Sequence, residues 1–276
     1  MTTLFIGGGN MATALIGGML ARGRAPRDFR VVEPHPPQRE KLAARFAGID
    51  VQEAVGAGVL DDVDLVVLAV KPQQMRDVAR SLASVLPRTG GPVILTIAAG
   101  IRLADLARWL SGAPRLVRAM PNTPALIGKG ISGAYAGPEI DAAERALAAS
   151  VLEAAGELIW VAAEPMLDAV TAVSGSGPAY VFYFLEACEE AARDLGLAPD
   201  DARRLAYATF AGAVALAQAS DLPPATLRAQ VTSKGGTTER ALAMMDTDAV
   251  KAKIIAAVKS AADRAQELGA ALGAAD

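Results

Sequence analysis

Several residue types that often carry catalysis are scarce in this sequence. Of its 276 residues, one is cysteine, one is histidine, and 4% are aromatic. With Cys188 as the single cysteine, the sequence excludes intrachain disulfides and metal sites built from several thiolates. We expect Cys188 to be buried in a helix, because free cysteine usually packs as a small hydrophobic residue. We expect no metal cofactor.

Strong charge and long hydrophobic runs are also lacking. The formal net charge is −3, and the lysines and arginines are scattered along the chain, so nothing predicts a nucleic-acid or membrane surface. The longest uncharged apolar run, around residues 206–219, is too short to span a bilayer. An apolar strand pattern begins within a few residues of Met1, which leaves no room for a signal peptide. We expect a cytoplasmic protein that acts on a small molecule.

Hydrophobic periodicity divides the chain into two parts. In the first, short apolar runs alternate with helical patterns, which predicts a parallel sheet in an α/β domain over residues 1–162. The predicted strands are 4–6, 29–32, 49–51, 65–70, 92–98, 115–120, 130–135 and 158–161. From Glu164 onward only helical spacing remains, which predicts an all-helical domain over residues 163–276. Breaks in this spacing fall at 174–178, 197–200 and 220–224.

The helical part has more apolar surface than a domain of its size needs for its own core. The long apolar patterns at 205–218 and 227–231 are the main source of this excess. We therefore expect the protein to form a homodimer through this domain.

A glycine motif follows the first predicted strand. Gly7 and Gly9, with Ala12, form the pattern Gly-x-Gly-x-x-Ala between a strand and a helix, which is typical of a Rossmann-type dinucleotide-binding domain. We expect Asn10 and Met11 to present the start of that helix to the pyrophosphate. The second strand ends in Glu33, at the separation expected for a residue that binds the adenosine ribose.

Further candidate cofactor residues follow two later strands. Val70, Lys71 and Pro72 lie at the end of a strand that is apolar on both faces, where open α/β sheets bind ligands. Asn122 lies in a Met-Pro-Asn-Thr-Pro segment and could bind the nicotinamide through its amide. Solvent exposure is the alternative for Lys71, and a turn-forming role is the alternative for Asn122.

Residues 231–242 combine hydroxyls with two adjacent glycines just before a helical pattern. Gly235 and Gly236 can adopt positive φ and expose backbone N–H groups of the next helix to an anion. Ser233, Thr237 and Thr238 add hydroxyl groups that can donate and accept hydrogen bonds. The pattern predicts an anion cradle, while a glycine turn with an ordinary capped helix remains the alternative. Ser176, in another serine-glycine segment, is a candidate for the same pocket or for a helix cap.

Five segments together carry a resemblance to a known family. The chain resembles pyrroline-5-carboxylate reductase along essentially its whole length, in residues 6–11, 69–73, 120–124, 174–180 and 231–242. The resemblance implies a Rossmann domain, a helical domain that interlocks two subunits, and assembly of dimers into rings. It also implies reduction of 1-pyrroline-5-carboxylate to L-proline with NAD(P)H, the last step of proline biosynthesis. By resemblance, Thr238 lies near the ring nitrogen and the cradle binds the substrate carboxylate.

The side-chain inventory fits an imine substrate. His35, the only histidine, lies in the predicted adenosine loop, away from a substrate. Reduction of an iminium carbon yields an amine rather than an oxyanion, so positioning and hydrogen bonding can carry most of the catalysis. In a β-hydroxyacid dehydrogenase, the main alternative, the catalytic lysine is expected at the position of Val181. A non-catalytic dinucleotide sensor is a second alternative, although a substrate cradle would then serve no purpose.

Glu33 also predicts a cofactor preference. A carboxylate at the end of the second strand accepts hydrogen bonds from ribose hydroxyls and repels a 2′-phosphate, which favours NADH. His35 and Arg39 argue for NADPH if the Glu33 side chain turns outward.

Overall fold

The fold is described from a computed structural model, which describes residues 1–56, 58–87, 90–113 and 115–274. Over these residues the strands form one eight-stranded sheet, in the order β3-β2-β1-β4-β5-β6-β7-β8. The strands are β1 (Thr2–Ile6), β2 (Phe29–Val32), β3 (Asp50–Gln52), β4 (Val63–Leu68), β5 (Val93–Thr96), β6 (Leu116–Met120), β7 (Gly130–Ala136) and β8 (Gly156–Trp160).

The α-helices follow the strands and continue alone after β8. They are α1 (Asn10–Ala21), α2 (Pro36–Arg45), α3 (Met75–Ala83), α4 (Leu103–Trp109), α5 (Ala142–Leu152), α6 (Met166–Val170), α7 (Gly177–Asp194), α8 (Pro199–Gln218), α9 (Pro224–Gln230), α10 (Thr237–Thr247) and α11 (Val250–Ala274). This arrangement confirms the predicted fold class, a Rossmann-type α/β part followed by helices. None of the helices in the described residues is long and apolar enough to cross a membrane.

The sheet is parallel from β3 through β6, as the alternation of strands and helices predicts. The strand β7 runs antiparallel to β6, and β8 runs parallel to β7. Apolar side chains cover both faces of the central strands; Phe5 and Val67 belong to the core on one face, and Leu4 and Val66 to the core on the other. This two-sided burial explains why the central strands read as continuous apolar runs.

The chain divides into two compact units. The first contains residues 1–176 and the end of α11 from Ala261, and the second contains residues 177–260. Within the first unit, the end of α11 packs along α4. The Arg102 guanidinium donates to the Gln266 carbonyl at 3.3 Å, and that of Arg108 donates to the Gly273 carbonyl at 2.6 Å. The domain boundary near residue 162 stays a prediction.

The break predicted at residues 174–178 coincides with an interruption of the α-helical geometry. Residues 171–175 form a π-helical turn, Ser176 forms a bend, and α7 begins at Gly177. The Ser176 N–H closes this turn on the Thr171 carbonyl at 2.8 Å, which absorbs one extra residue. Cys188 is exposed in the chain rather than buried. Several large apolar side chains of the second unit are exposed as well, including Tyr183 at 71% and Met244 at 70%.

Candidate functional site

The first glycine of the fingerprint makes the tight turn that its position predicts. Gly7 has a φ of +96°, and a Cβ at this residue would lie 2.7 Å from the Ala69 carbonyl oxygen. Its N–H donates to the Val32 carbonyl at 2.8 Å. Both the backbone conformation and the close approach of a neighbouring strand end therefore require glycine here.

The last glycine of the fingerprint leaves the start of α1 open. Gly9 is the N-cap of this helix, and a Cβ on it would have no atom of the described residues within 4 Å. No side chain caps the helix within the described residues, so its first N–H groups keep their capacity for an anion. Asn10 is exposed at the first helical position, and Met11 packs at the edge of the core. This arrangement fits a dinucleotide pyrophosphate.

A cleft of about 420 Å³ lies at the carboxyl ends of the parallel strands. Among the predicted cofactor residues, it is lined by Gly7, Gly9, Glu33, Val70 and Lys71. Pro72, the first residue of a 3₁₀ turn, follows Lys71 directly. The position fits the rule that open α/β sheets bind ligands outside the carboxyl ends of their strands.

The cleft is also lined by His35 of the predicted adenosine loop, and by Glu53 and Gln74, which were not predicted as cofactor ligands. Glu53 follows β3 directly, and Gln74 ends the 3₁₀ turn before α3. The signal that could have identified them is their position after parallel strands, because these ends converge at one edge of the sheet.

The Glu33 carboxylate is buried, with the residue 7% exposed, and it faces the glycine loop. Its Oε2 accepts the Gly8 N–H at 2.9 Å, and its Oε1 accepts the His35 N–H at 2.9 Å. The Arg39 guanidinium donates to the carbonyls of Glu33 and Pro34, at 3.0 Å and 2.7 Å. The side chain of Glu33 is therefore turned inward and held by two backbone donors.

Asn122 joins three segments of the first unit through its amide. Its Oδ1 accepts the Ile131 N–H at 2.9 Å, and its Nδ2 donates to the Ser174 carbonyl at 3.2 Å. The residue is 8% exposed. These bonds use the acceptor and one donor of the amide in the fold itself, which leaves one N–H for a ligand.

The predicted anion cradle lies in the second unit, at the start of α10. Gly235 has a φ of +73°, while Gly236 is the N-cap with a φ of −85°. The expectation of positive φ therefore holds for Gly235 and is wrong for Gly236. Gly236 is restricted by space instead, since a Cβ there would lie 2.8 Å from the Ser233 hydroxyl oxygen.

The threonines open the helix beside these glycines. Thr237 and Thr238 are the first two residues of α10, and the N-cap residue, Gly236, has no side chain that could cap this helix. Their backbone N–H groups, their hydroxyls and that of Ser233 are thus concentrated in one turn of chain. Glu239, which was not predicted, accepts the Gly235 N–H on its Oε2 at 2.7 Å. Its position in the first helical turn, where acidic residues cap backbone donors, was the signal for it.

Asp168, in α6, belongs to an ion-pair cluster with Arg118 and Glu164. The arginine is buried, and the two carboxylates are partly buried. Arg118 is 4% exposed, and its guanidinium lies 3.1 Å from the Glu164 carboxylate and 3.5 Å from that of Asp168. The Glu164 carboxylate also accepts the Leu103 N–H at 2.8 Å. A buried arginine needs such partners, so this cluster is a structural element of the first unit.

Comparison with known proteins identifies two matching families. The family described as pyrroline-5-carboxylate reductase dimerisation matches residues 164–268, and the family described as NADP oxidoreductase, coenzyme F420-dependent, matches residues 2–100. The pyrroline-5-carboxylate reductase of Pseudomonas aeruginosa is 45% identical over 270 residues, which cover 98% of this chain and 97% of that protein. The Pasteurella multocida enzyme of the same name is 36% identical over 268 residues, covering 96% of each chain.

A solved structure gives the same result. The pyrroline-5-carboxylate reductase of Coxiella burnetii superposes with a TM-score of 0.89 at 36% identity, covering 97% of this chain and 98% of that one. The agreement extends over both the sheet and the helical part. The chain therefore belongs to the pyrroline-5-carboxylate reductase family.

Proposed function

We propose that this protein reduces 1-pyrroline-5-carboxylate to L-proline with NAD(P)H, the last step of proline biosynthesis. The observation that carries the proposal is the combination, in one family member, of two separate anion-binding arrangements. One is the dinucleotide cleft, and the other is the glycine-hydroxyl turn before α10. A dinucleotide and a small imino acid are the two anions that this reaction brings together.

The cofactor is held in the first unit. The turn at Gly7 and the open helix start at Gly9, Asn10 and Met11 bind the pyrophosphate. Glu33 binds the adenosine ribose. Val70, Lys71, Pro72 and Asn122 complete the nicotinamide side of the site. When bound, the dihydronicotinamide supplies the hydride. The open N-cap at Gly9 and the match to an NADP oxidoreductase family support this assignment.

The substrate carboxylate is held by the cradle in the second unit. Its donors are the backbone N–H groups of Thr237 and Thr238 and the hydroxyls of Ser233, Thr237 and Thr238, while Gly235 and Gly236 form the turn beside them. The role of Ser176 as a further substrate ligand stays a prediction. The N-cap Gly236 has no side chain to cap α10, so a carboxylate there would accept the N–H groups of the first helical turn, which have no partner within the helix. This supports binding of a small carboxylic acid.

Thr238 is the catalytic residue of the proposal. In the reaction a C–H bond forms at the imine carbon, and the electron pair of the C=N double bond moves to the ring nitrogen. A substrate that arrives as the iminium becomes the secondary amine directly, whereas a neutral imine must also gain one proton. The Thr238 hydroxyl orients the ring nitrogen by hydrogen bonding, and it can relay that proton.

The helical domain, residues 163–276, pairs two subunits, and dimers then assemble into rings. The matched dimerisation family begins at residue 164, beside the predicted boundary. Apolar side chains that are exposed in the single chain, such as Tyr183 and Met244, support a partner surface in this domain. The cytoplasmic location and the ring assembly stay predictions.

Cofactor oxidation by the purified protein tests the activity. NADH or NADPH is followed at its absorbance maximum with 1-pyrroline-5-carboxylate, and proline is quantified as product. A parallel reaction uses a 3-hydroxy acid with the oxidised cofactor. We expect proline formation in the first reaction only. Turnover of the hydroxy acid would instead support a β-hydroxyacid dehydrogenase, and absence of turnover in both would leave a dinucleotide-binding protein without this activity.

A further inference from the structure

Gly8, the middle glycine of the loop, has both its N–H and its carbonyl hydrogen-bonded by side chains that follow β2 in the chain. Its N–H donates to Glu33 Oε2 at 2.9 Å, and its carbonyl accepts Gln38 Nε2 at 2.5 Å. Glycine alone would leave the two flanking peptide groups free to rotate. The two hydrogen bonds remove that freedom.

Gly8 also has no room for a side chain. A Cβ at this position would collide with the side chain of Leu42, which is buried in the core at 1% exposure. The glycine loop thus lies directly against α2, and the Gln38 amide reaches it from the first turn of that helix. Pro36 and Pro37 begin α2 and restrict its backbone, so Gln38 projects from a rigid support.

The geometry of a trans peptide relates the hydrogen bond between Gln38 and the Gly8 carbonyl to the cofactor site. The carbonyl of Gly8 and the N–H of Gly9 belong to one planar peptide group and point in opposite directions. Because the Gly8 carbonyl is drawn toward Gln38, the Gly9 N–H must point away from α2. Gly9 lines the cleft and stands at the open start of α1.

We infer that Gln38 is a positioning residue for the cofactor: by holding the Gly8 carbonyl, it aims the Gly9 N–H at the pyrophosphate. The inference rests on the proposed cofactor site and assigns a role to a residue that does not itself line the cleft. Glu33 holds the preceding peptide group through the Gly8 N–H, so the two side chains fix both peptides around Gly8. The loop is therefore ordered before the cofactor binds, which reduces the entropy cost of binding.

The test uses Gln38→Met, which keeps the length of the side chain and removes its donor. Fluorescence titration of the full-length protein gives Kd for NADH and for NADPH without substrate. Loss of one hydrogen bond typically changes a binding constant by about 2- to 10-fold. We expect both Kd values to rise by a similar factor in this range, because the pyrophosphate is common to the two cofactors.

Two controls separate positioning from general damage. Gln52→Met makes the same change at another half-buried glutamine, whose Nε2 donates to the Asp50 carboxylate at 2.8 Å, and it should leave both Kd values unchanged. Adenosine, measured as a competitor of NADH, has no phosphate, so its affinity should be the same in Gln38→Met and the parent. The variant Gln38→Asn keeps the amide but shortens its reach, and it provides the same comparison if Gln38→Met does not fold.

A double-mutant cycle adds an independent readout. Glu33→Gln and Gln38→Met alter bonds to the same glycine, so their effects on Kd should not be additive. Unchanged Kd values in Gln38→Met would overturn the inference. A loss of adenosine affinity by the same factor as the loss of dinucleotide affinity would also overturn it, because the effect would then come from a displaced α2. These titrations need no imino acid, so the inference can fail while the proposed reductase activity stands, and the reverse also holds.

Discussion

Replacement of Glu33 by Gln is expected to shift cofactor selectivity from NADH toward NADPH. The Glu33 carboxylate lines the cleft, is 7% exposed, and accepts backbone N–H groups on both oxygens. These bonds fix it in place, so it cannot turn away from a 2′-phosphate on the adenosine ribose. Its remaining lone pairs can still accept the ribose hydroxyls of NADH.

The size of the effect follows from Coulomb's law. At a separation of about 5 Å and an effective dielectric constant between about 20 and 80, one pair of like charges costs roughly 1–3 kcal/mol. Burial of Glu33 favours the upper part of this range. Since about 1.4 kcal/mol corresponds to a factor of ten, the parent should favour NADH by about tenfold or more.

Gln keeps the shape of the side chain but can accept on one oxygen only. One of the two backbone donors then loses its partner, at a cost of about 1–3 kcal/mol if it stays buried. This cost weakens both cofactors equally and cancels in their ratio. The ratio of NADH to NADPH selectivity therefore reports the effect of the Glu33 charge alone. The separate affinities for the two cofactors also reflect the lost backbone hydrogen bond.

The assay compares kcat/KM for NADH and NADPH in the parent, Glu33→Gln and Glu33→Ser. Glu40→Gln removes the same charge from an exposed position on α2 and serves as the control. Solvent screens that charge, so the NADH-to-NADPH selectivity of Glu40→Gln should match that of the parent. A parent that already favours NADPH, or a Glu33→Gln ratio equal to that of the parent, would refute the reasoning.

Three further predictions concern the cradle before α10. Gly236→Val places a branched side chain against Ser233 Oγ, which a Cβ alone would approach at 2.8 Å, and should raise KM for the imino acid without changing cofactor Kd. Unchanged KM in a folded variant would exclude the cradle. Thr238→Ala should lower kcat by on the order of 10²-fold with little change in cofactor affinity, and a change below about twofold would leave only a capping role. Glu239→Gln removes a negative charge beside the cradle and keeps an acceptor for the Gly235 N–H, so steady-state kinetics should show a lower KM for the imino acid; a higher KM would mean that this charge assists binding.

Local requirements explain which parts of the site could be predicted from sequence. Gly7 needs positive φ beside a neighbouring strand end, and Gly235 needs positive φ in the turn before α10. Because glycine favours this backbone conformation, the residue type alone predicts it. Gly236 shows the limit of this reasoning, because its restriction comes from the space beside Ser233 and not from its φ. The presence of a glycine in the sequence does not show whether positive φ or lack of space for a side chain requires it.

Long-range contacts could not be predicted in the same way. Gln38 lies 30 residues from the glycine whose carbonyl it binds, and Asn122 lies 52 residues from Ser174. Asp168 reads as a helix charge until Arg118 is placed beside it. The expectation that Cys188 is buried was also wrong, since this residue is exposed in the chain. Such pairings depend on how elements pack, and periodicity carries no information about them.

The sequence by itself determined the kind of fold and the position of the glycine loop. Apolar periods of two and 3.6 residues distinguish strands from helices, and their alternation requires parallel strands with helical crossovers. Only the tertiary structure decided that β7 runs antiparallel to β6, that the end of α11 returns to the first unit, and that Glu33 and Gln38 hold Gly8 from opposite sides. The physical reason is that backbone conformation is largely a local property, whereas the direction of a side chain and its partner are set by packing between segments that are distant in the chain.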